Sequence, residues 1–392
     1  MSQQLISHSV DLKRLRDEGY EIEVNGGFLL VHHIPYLNEK SEHLLGTLVS
    51  TLTLKNNETT AVPDNHVMYF RGENPCNEDG SFITAIQHSN VDATLRDGIT
   101  VNRSFSNKPA AGYLNYYEKV KRYADIISAP AKFLDPSVTE KTFKVIADRE
   151  NEGVFHYLDT NSSRANIDVL NNTFSKQKIA IIGLGGTGAY ILDLVAKTPV
   201  AEVHIYDGDS FDQHNAFRSP GASSIEDLQA NLKKAELYGS TYSKMHRRII
   251  SHPYYVREAI YSELDDMSYV FICVDKNSVR KSMSDYLASK GISFIDVGLG
   301  VNVAGNKLMG AVRVTCATAE KSNHLPDRIF SEDNDNNDYV TNIQIADLNC
   351  LNAALAVIKW KKLSGFYVDL EGEHHSSYSI GVSKIFNEDA TA

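Results

Sequence analysis

A glycine-rich loop constrains this chain more than any other part of its sequence. The segment KIAIIGLGG begins at Lys178 as a short apolar run and ends in glycines, which is typical of a strand buried in a parallel sheet. The pattern GLGGTG contains four glycines: Gly183, Gly185, Gly186 and Gly188. Between a strand and a helix, such glycines permit a tight turn and let a phosphate approach the helix N-terminus. The loop predicts nucleotide binding, although a tight turn without a ligand fits the same pattern.

Strand-like and helix-like segments alternate after this loop. Apolar runs typical of strands recur at 201–209, 267–275, 292–300 and 308–316. Helix-like segments stand at 188–199, 224–234, 243–250, 277–291 and 342–363. This alternation predicts an α/β fold with a Rossmann-like, doubly wound, mainly parallel sheet.

The first part of the chain has a different character. It contains strand-like runs at 26–37 and 46–54 and a helix-like segment at 112–133, but no sharp catalytic motif. A chain of 392 residues exceeds what one hydrophobic core usually serves. We therefore predict a separate N-terminal α+β domain at 1–150 and a second domain, which contains the glycine loop, at 151–392.

Composition excludes several classes of protein. The formal charge of −11 argues against broad nucleic-acid binding, which requires a basic surface. No apolar run is long enough to span a membrane, and the N-terminus lacks the apolar region of a secretion signal. The four cysteines form no CxxC pair, which makes a zinc ribbon improbable. These features indicate a cytoplasmic protein with reduced thiols.

Several polar residues follow the predicted strands. They are expected at the carboxyl edge of the sheet, where parallel sheets bind ligands. Asp207 lies 24 residues after Gly183, at a strand end where a carboxylate can hold a ribose hydroxyl. The other polar residues of this group are Asn215, Arg218, Lys244 and Asp275. Cations suit a triphosphate, and a carboxylate beside it suits Mg²⁺. The set favours MgATP over NAD, while an NAD(P)-dependent oxidoreductase remains the alternative that also explains the glycines and Asp207.

Taken together, these residues resemble the ThiF/MoeB and ubiquitin-activating enzyme superfamily. The resemblance runs from about Arg164 to near Leu363. Its pattern comprises GxGGxG at 183–188, Asp207 with Asp209, Asn215 with Arg218, Lys244, and Asp275 with Asn277 and Arg280. The chain departs from many relatives because it lacks the two CxxC pairs that bind structural zinc.

The resemblance implies roles for these residues. Asp207 would hold the ribose, and Asp209 would also belong to the cofactor site. Asn215, Arg218 and Lys244 would contact the phosphates, and Asp275 would bind the Mg²⁺ ion. Arg164 resembles an arginine that family members lend across a homodimer to the partner's ATP. The implied reaction is adenylation of the C-terminal glycine of a ubiquitin-like protein, by the activating enzyme of a bacterial ubiquitin-like conjugation pathway.

Several points stay open at this stage. The N-terminal part loosely resembles a domain found ahead of such adenylating domains in bacterial conjugation systems, which implies recognition of the ubiquitin-like protein or a conjugating enzyme. Activation of a sulfur carrier shares the same first step, and a degenerate, non-enzymatic scaffold is a further alternative. Candidates for a covalent intermediate are Cys316, Cys350, Cys76, Ser331 and Thr341. We expect Cys350 and Cys273 to be core residues, while the end of a strand could expose Cys316.

Overall fold

The computed structural model describes residues 2–56, 59–84, 86–145, 153–165, 167–330 and 343–388. It divides into two compact units, Met1–Ile146 and Ala147–Ala392. Each unit has its own sheet and its own hydrophobic core. No helix in the described ranges is long and apolar enough to cross a membrane.

The first unit is an antiparallel sheet with helices. Its described strands are β1 Glu21–Asn25, β2 Phe28–Leu37, β3 His43–Thr51, β4 Val67–Arg71, β5 Gln87–Thr94 and β6 Thr100–Ser106. They lie in the order β1-β2-β3-β4-β6-β5. Its described helices are α1 Ser2–His8, α2 Val10–Asp17 and α3 Tyr116–Leu134. Asn115 is the N-cap of helix α3, and its side chain accepts a hydrogen bond from the Glu118 N–H. The core lies between α2, α3 and one face of the sheet, with Leu12, Phe70 and Tyr123 fully buried.

The second unit is an α/β unit with the elements that the sequence predicts around the glycine loop. Its described strands are β7 Lys178–Ile182, β8 Glu202–Tyr206, β9 Ile249–His252, β10 Tyr269–Ile272, β11 Ser293–Ala304, β12 Lys307–Ala317, β13 His375–Ser379 and β14 Lys384–Glu388. Its described helices are α4 Thr160–Ala165, α5 Asp168–Asn171, α6 Gly186–Val195, α7 Gln213–Ala216, α8 Ile225–Gln229, α9 Lys234–Tyr242, α10 Asn277–Lys290 and α11 Ala346–Leu363.

Eight strands form the sheet of this unit in the order β14-β13-β12-β11-β10-β7-β8-β9. Strands β7 to β11 are mutually parallel, and β12 to β14 continue the sheet in antiparallel fashion. Apolar side chains alternate between two cores, as the strand period of two requires. Ile179 and Ile181 face the core that contains α6 and α11, whereas Ala180 and Ile182 face the core that contains α10. The predicted Rossmann-like, mainly parallel sheet is confirmed.

Two predictions between β8 and β9 are wrong. The segment 224–234 is not one helix, because α8 ends at Gln229 and α9 begins at Lys234. The segment 243–250 is not a helix either. The Arg247 N–H donates to the Val154 carbonyl oxygen at 2.7 Å, and the His156 N–H donates to the Met245 carbonyl oxygen at 2.9 Å. Pairing with a distant segment therefore uses the backbone groups that a helix would need.

Candidate active site

The glycine loop turns sharply between β7 and α6. Gly183 has φ +91°, and a Cβ there would lie 2.9 Å from the Cys273 carbonyl oxygen. Both features require glycine at this position. Gly185 is the N-cap of α6, and no atom lies within 4 Å of where its Cβ would be. A phosphate can therefore approach the backbone there without meeting a side chain.

A cavity of about 250 Å³ opens beside this loop. The loop contributes Gly185, Gly186 and Thr187, and the end of β10 with the start of α10 contributes Asp275, Asn277 and Arg280. The remaining wall comes from β11, at 297–302, and from the polar side chains of Gln344, Asn349 and Asn352. Two of the predicted site glycines and the DxNxxxR residues thus line one cavity at the carboxyl edge of the parallel strands, where open α/β sheets bind ligands.

Helix α11 supplies two site residues that the sequence analysis missed. Asn349 Oδ1 accepts a hydrogen bond from Thr187 Oγ1 at 3.0 Å, and its Nδ2 donates to the Arg218 carbonyl oxygen at 3.4 Å. Asn352 Nδ2 donates to the Gly298 carbonyl oxygen at 3.1 Å. Their sequence signal is a pair of amides at i, i+3 spacing on the apolar face of α11.

Two polar atoms in the cavity wall, Asn352 Oδ1 and Gln344 Oε1, have no hydrogen-bond partner among the described residues. Arg218 Nε, on the loop after α7, has no partner there either, but Arg218 is not among the residues that line the cavity. A buried polar atom without a hydrogen-bond partner lowers the stability of the fold. Such atoms therefore mark places where a polar ligand could supply the missing hydrogen bond. The orphaned Arg218 donor fits an anion, as the sequence analysis expected of this residue.

Arg280 lies in the wall of the cavity rather than in its opening. Its Nη2 donates to the Val274 carbonyl oxygen at 2.8 Å and to the Val297 carbonyl oxygen at 2.7 Å. Its Nε lies 3.1 Å from Asp296 Oδ1, and Arg313 Nη2 lies 2.8 Å from Asp296 Oδ2. Burial raises the pKa of Asp296, while the two guanidinium groups act against that rise. This buried cluster holds the Asp275 loop against β11.

The two acids after β8 have different environments. Asp207 is 7% exposed, and its carboxylate accepts the Leu184 N–H at 2.7 Å and the Asp209 N–H at 2.8 Å. Burial raises the pKa of Asp207. The Asp209 side chain is 52% exposed, and Lys234 Nζ lies 2.9 Å from its Oδ2. Although partial burial acts to raise it, the pKa of Asp209 is lowered overall by hydrogen bonds from Tyr255 and Lys234 and by the Lys234 charge. Asp207 therefore ties the glycine loop to β8, while Asp209 presents a carboxylate to solvent.

Lys234 pairs with both acids, and the sequence analysis did not single this residue out. Lys234 is 6% exposed at the start of α9. Lys244 is exposed and follows the C-terminal end of α9, so its predicted position at a helix start is wrong. The signal for Lys234 was the doublet KK before AEL, where the Lys233 N–H donates to Glu236 Oε2 at 3.0 Å in a cap.

The other predicted residues occupy varied positions. Asn215 is buried, and its Oδ1 accepts the Asp212 N–H at 2.9 Å, which completes the cap of α7. Arg164 is exposed in the last turn of α4. Asp275 is exposed and lines the cavity. Carboxylate oxygen suits Mg²⁺, which nucleotide sites commonly hold through one or two carboxylates together with the phosphates. Asp275 fits that requirement.

Three of the four cysteines are buried or partly buried, and Cys350 is exposed. Cys76 and Cys316 are buried, and Cys273 is partly exposed as a residue. Burial raises the pKa of the Cys316 thiol to about 12 and also raises the pKa of Cys273 and Cys76. Cys350 is exposed on α11, so the expectation that it belongs to the core is wrong. It lies on the side of the helix away from Asn349 and Asn352. Ser331 and Thr341 lie outside the described residues.

Two protein-family models match the chain, each mainly within one of its two units. The ThiF family model matches residues 164–358, and a model described as a domain of unknown function (DUF6791) matches residues 10–160. A search of curated proteins found no match.

Solved structures resemble the chain only distantly. E. coli MccB with ATP is 16% identical at a TM-score of 0.46, with 73% of this chain and 80% of that chain covered. E. coli MccB with AMPCPP and MccA is 17% identical at 0.46, covering 70% and 82%. PaaA is 15% identical at 0.44, covering 56% and 75%.

Proposed function

We propose that residues 164–358, which the ThiF family model matches, form an adenylyltransferase domain that uses ATP to adenylate the C-terminal glycine of a ubiquitin-like protein. The observation that supports the proposal is the cavity itself. It joins the glycine loop, the exposed carboxylate of Asp275 and the unpartnered side-chain oxygens of Gln344 and Asn352 at one edge of the sheet. The backbone N–H groups at the start of α6 suit the phosphates of a nucleoside triphosphate, and the two amide oxygens can accept hydrogen bonds from N–H or O–H groups of a ligand.

The proposed reaction needs no side-chain base. The carboxylate of the substrate protein attacks the α-phosphorus of ATP, a new oxygen–phosphorus bond forms, and the bond to the pyrophosphate leaving group breaks. The backbone N–H groups at the start of α6 and the Arg218 guanidinium would stabilise the phosphate charge. Catalysis then rests on positioning and electrostatics.

Magnesium enters the proposal through one residue. Asp275 would hold the ion, which supplies positive charge against the polyphosphate when bound. The buried Arg280–Asp296 pair behind it fixes the loop that carries Asp275. Rigid support of this kind keeps a ligand in the geometry that the reaction needs.

The nucleoside side of the site would be formed by the acids after β8. Asp209 offers an exposed carboxylate to ribose hydroxyls, and Asp207 lies behind it against the glycine loop. Lys234 balances their charge. In this proposal Lys234 takes the place that the sequence analysis gave to Lys244.

Further parts of the proposal concern assembly and partners. We propose that the protein acts as a cytoplasmic homodimer in which Arg164 reaches the partner's ATP, and that residues 1–150 recognise the ubiquitin-like protein or a conjugating enzyme. A test mixes Arg164→Ala chains with Asp275→Ala chains. Recovery of activity on mixing supports the exchange of Arg164, whereas two inactive variants that stay inactive together argue against it.

Activation of a sulfur carrier is the second candidate, because its first chemical step is the same. An NAD(P)-dependent oxidoreductase is less well supported, since it assigns no role to Arg218 or Asp275. The experiment that tests the proposal is ATP–pyrophosphate exchange with ubiquitin-like proteins ending in glycine, with and without Mg²⁺. Exchange that depends on both supports adenylation. Folded protein that binds ATP but exchanges no pyrophosphate with any partner favours a scaffold, and binding of NAD instead of ATP overturns the proposal.

A further inference from the structure

We propose that Tyr255 is a nucleoside gate: its hydroxyl occupies Asp209 when no nucleotide is bound, and an incoming ribose displaces it so that the ring packs on the base. The inference rests on the proposed function and adds a specificity-determining residue to it. Tyr255 belongs to no part of the sequence pattern described above. It lies in the segment that leaves β9, next to the acids that leave β8.

The phenol of Tyr255 is bound directly to the acid pair. Its hydroxyl donates a hydrogen bond to Asp209 Oδ1, while Lys234 Nζ lies 2.9 Å from Oδ2 of the same carboxylate. Asp209 therefore has one oxygen held by a buried cation and the other by an exposed phenol. The phenol is the partner that a ligand can replace, since it is on the solvent side.

The ring of Tyr255 lies directly against the backbone between the two acids. A Cβ at position 208 would be 2.7 Å from the ring carbons, so only glycine at this position lets the ring come so close. The φ angle of Gly208 is not positive, so its backbone conformation does not require glycine. The close approach of the Tyr255 ring explains the glycine instead. The tyrosine residue is nevertheless 54% exposed.

The residues around Tyr255 are fixed, although its own ring is not packed in a core. The Asp207 N–H donates to the His252 carbonyl oxygen at 3.2 Å, and the His252 ring stacks on Tyr206 with centroids 4.1 Å apart. Tyr254 OH donates to Glu263 Oε2 at 2.9 Å. The anchored neighbours hold the segment in place and leave the Tyr255 side chain able to swing about its own χ angles.

The position of Tyr255 corresponds to where a nucleoside would lie. Leu184 of the glycine loop donates its N–H to Asp207. In the proposed site the phosphates lie at the start of α6 and the ribose lies at Asp209, which follows β8. The base then extends beyond Asp209. An aromatic ring exposed at that place offers a stacking surface once its hydroxyl is released. The gate thus couples occupation of Asp209 by ribose to stacking of the base.

The test measures nucleotide affinity by calorimetry on the full chain, without a protein partner, using ATP. Tyr255→Phe keeps the ring and removes competition for Asp209, so we expect its Kd to be about three- to tenfold lower than that of the wild type. Tyr255→Ala also removes stacking, and its Kd should be at least tenfold higher than that of Tyr255→Phe. Tyr286→Phe is the matched control, because the Tyr286 hydroxyl donates to Asp265 rather than to Asp209, and its Kd should be unchanged.

A second readout observes the ring itself. Trp360 is the single tryptophan and is fully buried, so Tyr255→Trp places one exposed reporter at the gate. Fluorescence of that reporter should change on addition of ATP but not of inorganic triphosphate. Equal Kd values for Tyr255→Phe, Tyr255→Ala and wild type, with a silent reporter, overturn the gate while nucleotide binding and pyrophosphate exchange persist. A wild type that binds no nucleotide overturns the gate and the proposed function together.

Discussion

Lys234 Nζ lies 2.9 Å from Asp209 Oδ2 and 3.9 Å from Asp207 Oδ2. One lysine at the N-terminal end of α9 thus serves both acids that follow β8. Burying this ammonium costs solvation that the two carboxylates offset. The pairing also brings the start of α9 to the edge of the candidate site, which sequence spacing alone does not reveal.

The first prediction follows from this pairing. Lys234→Ala removes the ammonium that pairs with both Asp207 and Asp209, so we expect ATP affinity and pyrophosphate exchange to fall by at least tenfold. Lys244→Ala is the matched control, since this lysine is exposed after the end of α9, and it should retain both properties. If Lys244→Ala loses pyrophosphate exchange and Lys234→Ala keeps it, Lys244 rather than Lys234 is the cation that acts at the ATP site.

The second prediction concerns the charges at the phosphates. Arg218→Ala and Asp275→Asn should each abolish pyrophosphate exchange, because one removes the guanidinium and the other the carboxylate proposed for Mg²⁺. Asp275 is exposed, so Asp275→Asn should leave the unfolding midpoint within about 2 °C of wild type. Circular dichroism checks the fold alongside the exchange assay. Near-normal exchange in both variants contradicts the site assignment.

The third prediction separates two glycines of one loop. Gly183→Ala introduces a Cβ at φ +91° and 2.9 Å from the Cys273 carbonyl oxygen, so the free energy of unfolding should fall by about 1–3 kcal/mol. Gly185→Ala has free space for its Cβ and should keep its stability. It should still weaken ATP binding, because the methyl group points where a phosphate would approach. Urea unfolding and calorimetry measure the two effects, and equal stability losses would contradict this division.

The fourth prediction concerns thiol reactivity. In the folded protein, iodoacetamide should modify Cys350 first, since Cys76 and Cys316 are buried and the pKa of Cys273 is raised by burial. Intact-mass analysis should show one rapid adduct in the native state and four adducts in denaturant. Cys350→Ser should remove the rapid adduct without affecting adenylation. If a thioester forms with the substrate protein, Cys350 is the residue whose replacement should abolish it, and thioester formation in Cys350→Ser would exclude that role.

The fifth prediction is a pH dependence of stability. His246 is fully buried, its Nε2 lies 3.1 Å from the Val200 carbonyl oxygen, and burial lowers its pKa from 6.5 to about 4. Between these values the unfolded chain binds a proton that the folded chain does not. The free energy of unfolding of the second unit should therefore fall as the pH decreases from about 6.5 towards 4, by about 3 kcal/mol.

Urea unfolding of His246→Gln at several pH values checks this dependence. The variant should be less stable at pH 7 by about 1 kcal/mol, because the substitution alters the buried hydrogen bond to the Val200 carbonyl oxygen. Its free energy of unfolding should also depend less on pH. His214→Gln, which replaces an exposed histidine of the same unit, should follow the wild-type curve. An unchanged slope in His246→Gln would assign the acid sensitivity to other groups.

Much of the second unit could be predicted because its signals are local. The apolar run before Gly183 and the glycines after it specify a buried strand, a tight turn and a helix N-terminus within a dozen residues. Helix α10 ends at Lys290 and is capped by Gly291, which has φ +69°, as its sequence indicates. The error at 243–250 arose where backbone pairing with Val154 and His156 overrides local helical periodicity.

The sequence by itself determined that a glycine loop joins β7 to α6 and that an acid follows β8, because chain neighbours within a strand–turn–helix unit dictate these features. Only the tertiary structure decided that Lys234 serves the acids, that α11 brings Asn349 to the loop, and that Cys350 is exposed while Cys316 is buried. These outcomes depend on which faces of distant elements meet. Packing of the whole sheet and its helices sets those contacts, and no spacing along the chain encodes them directly.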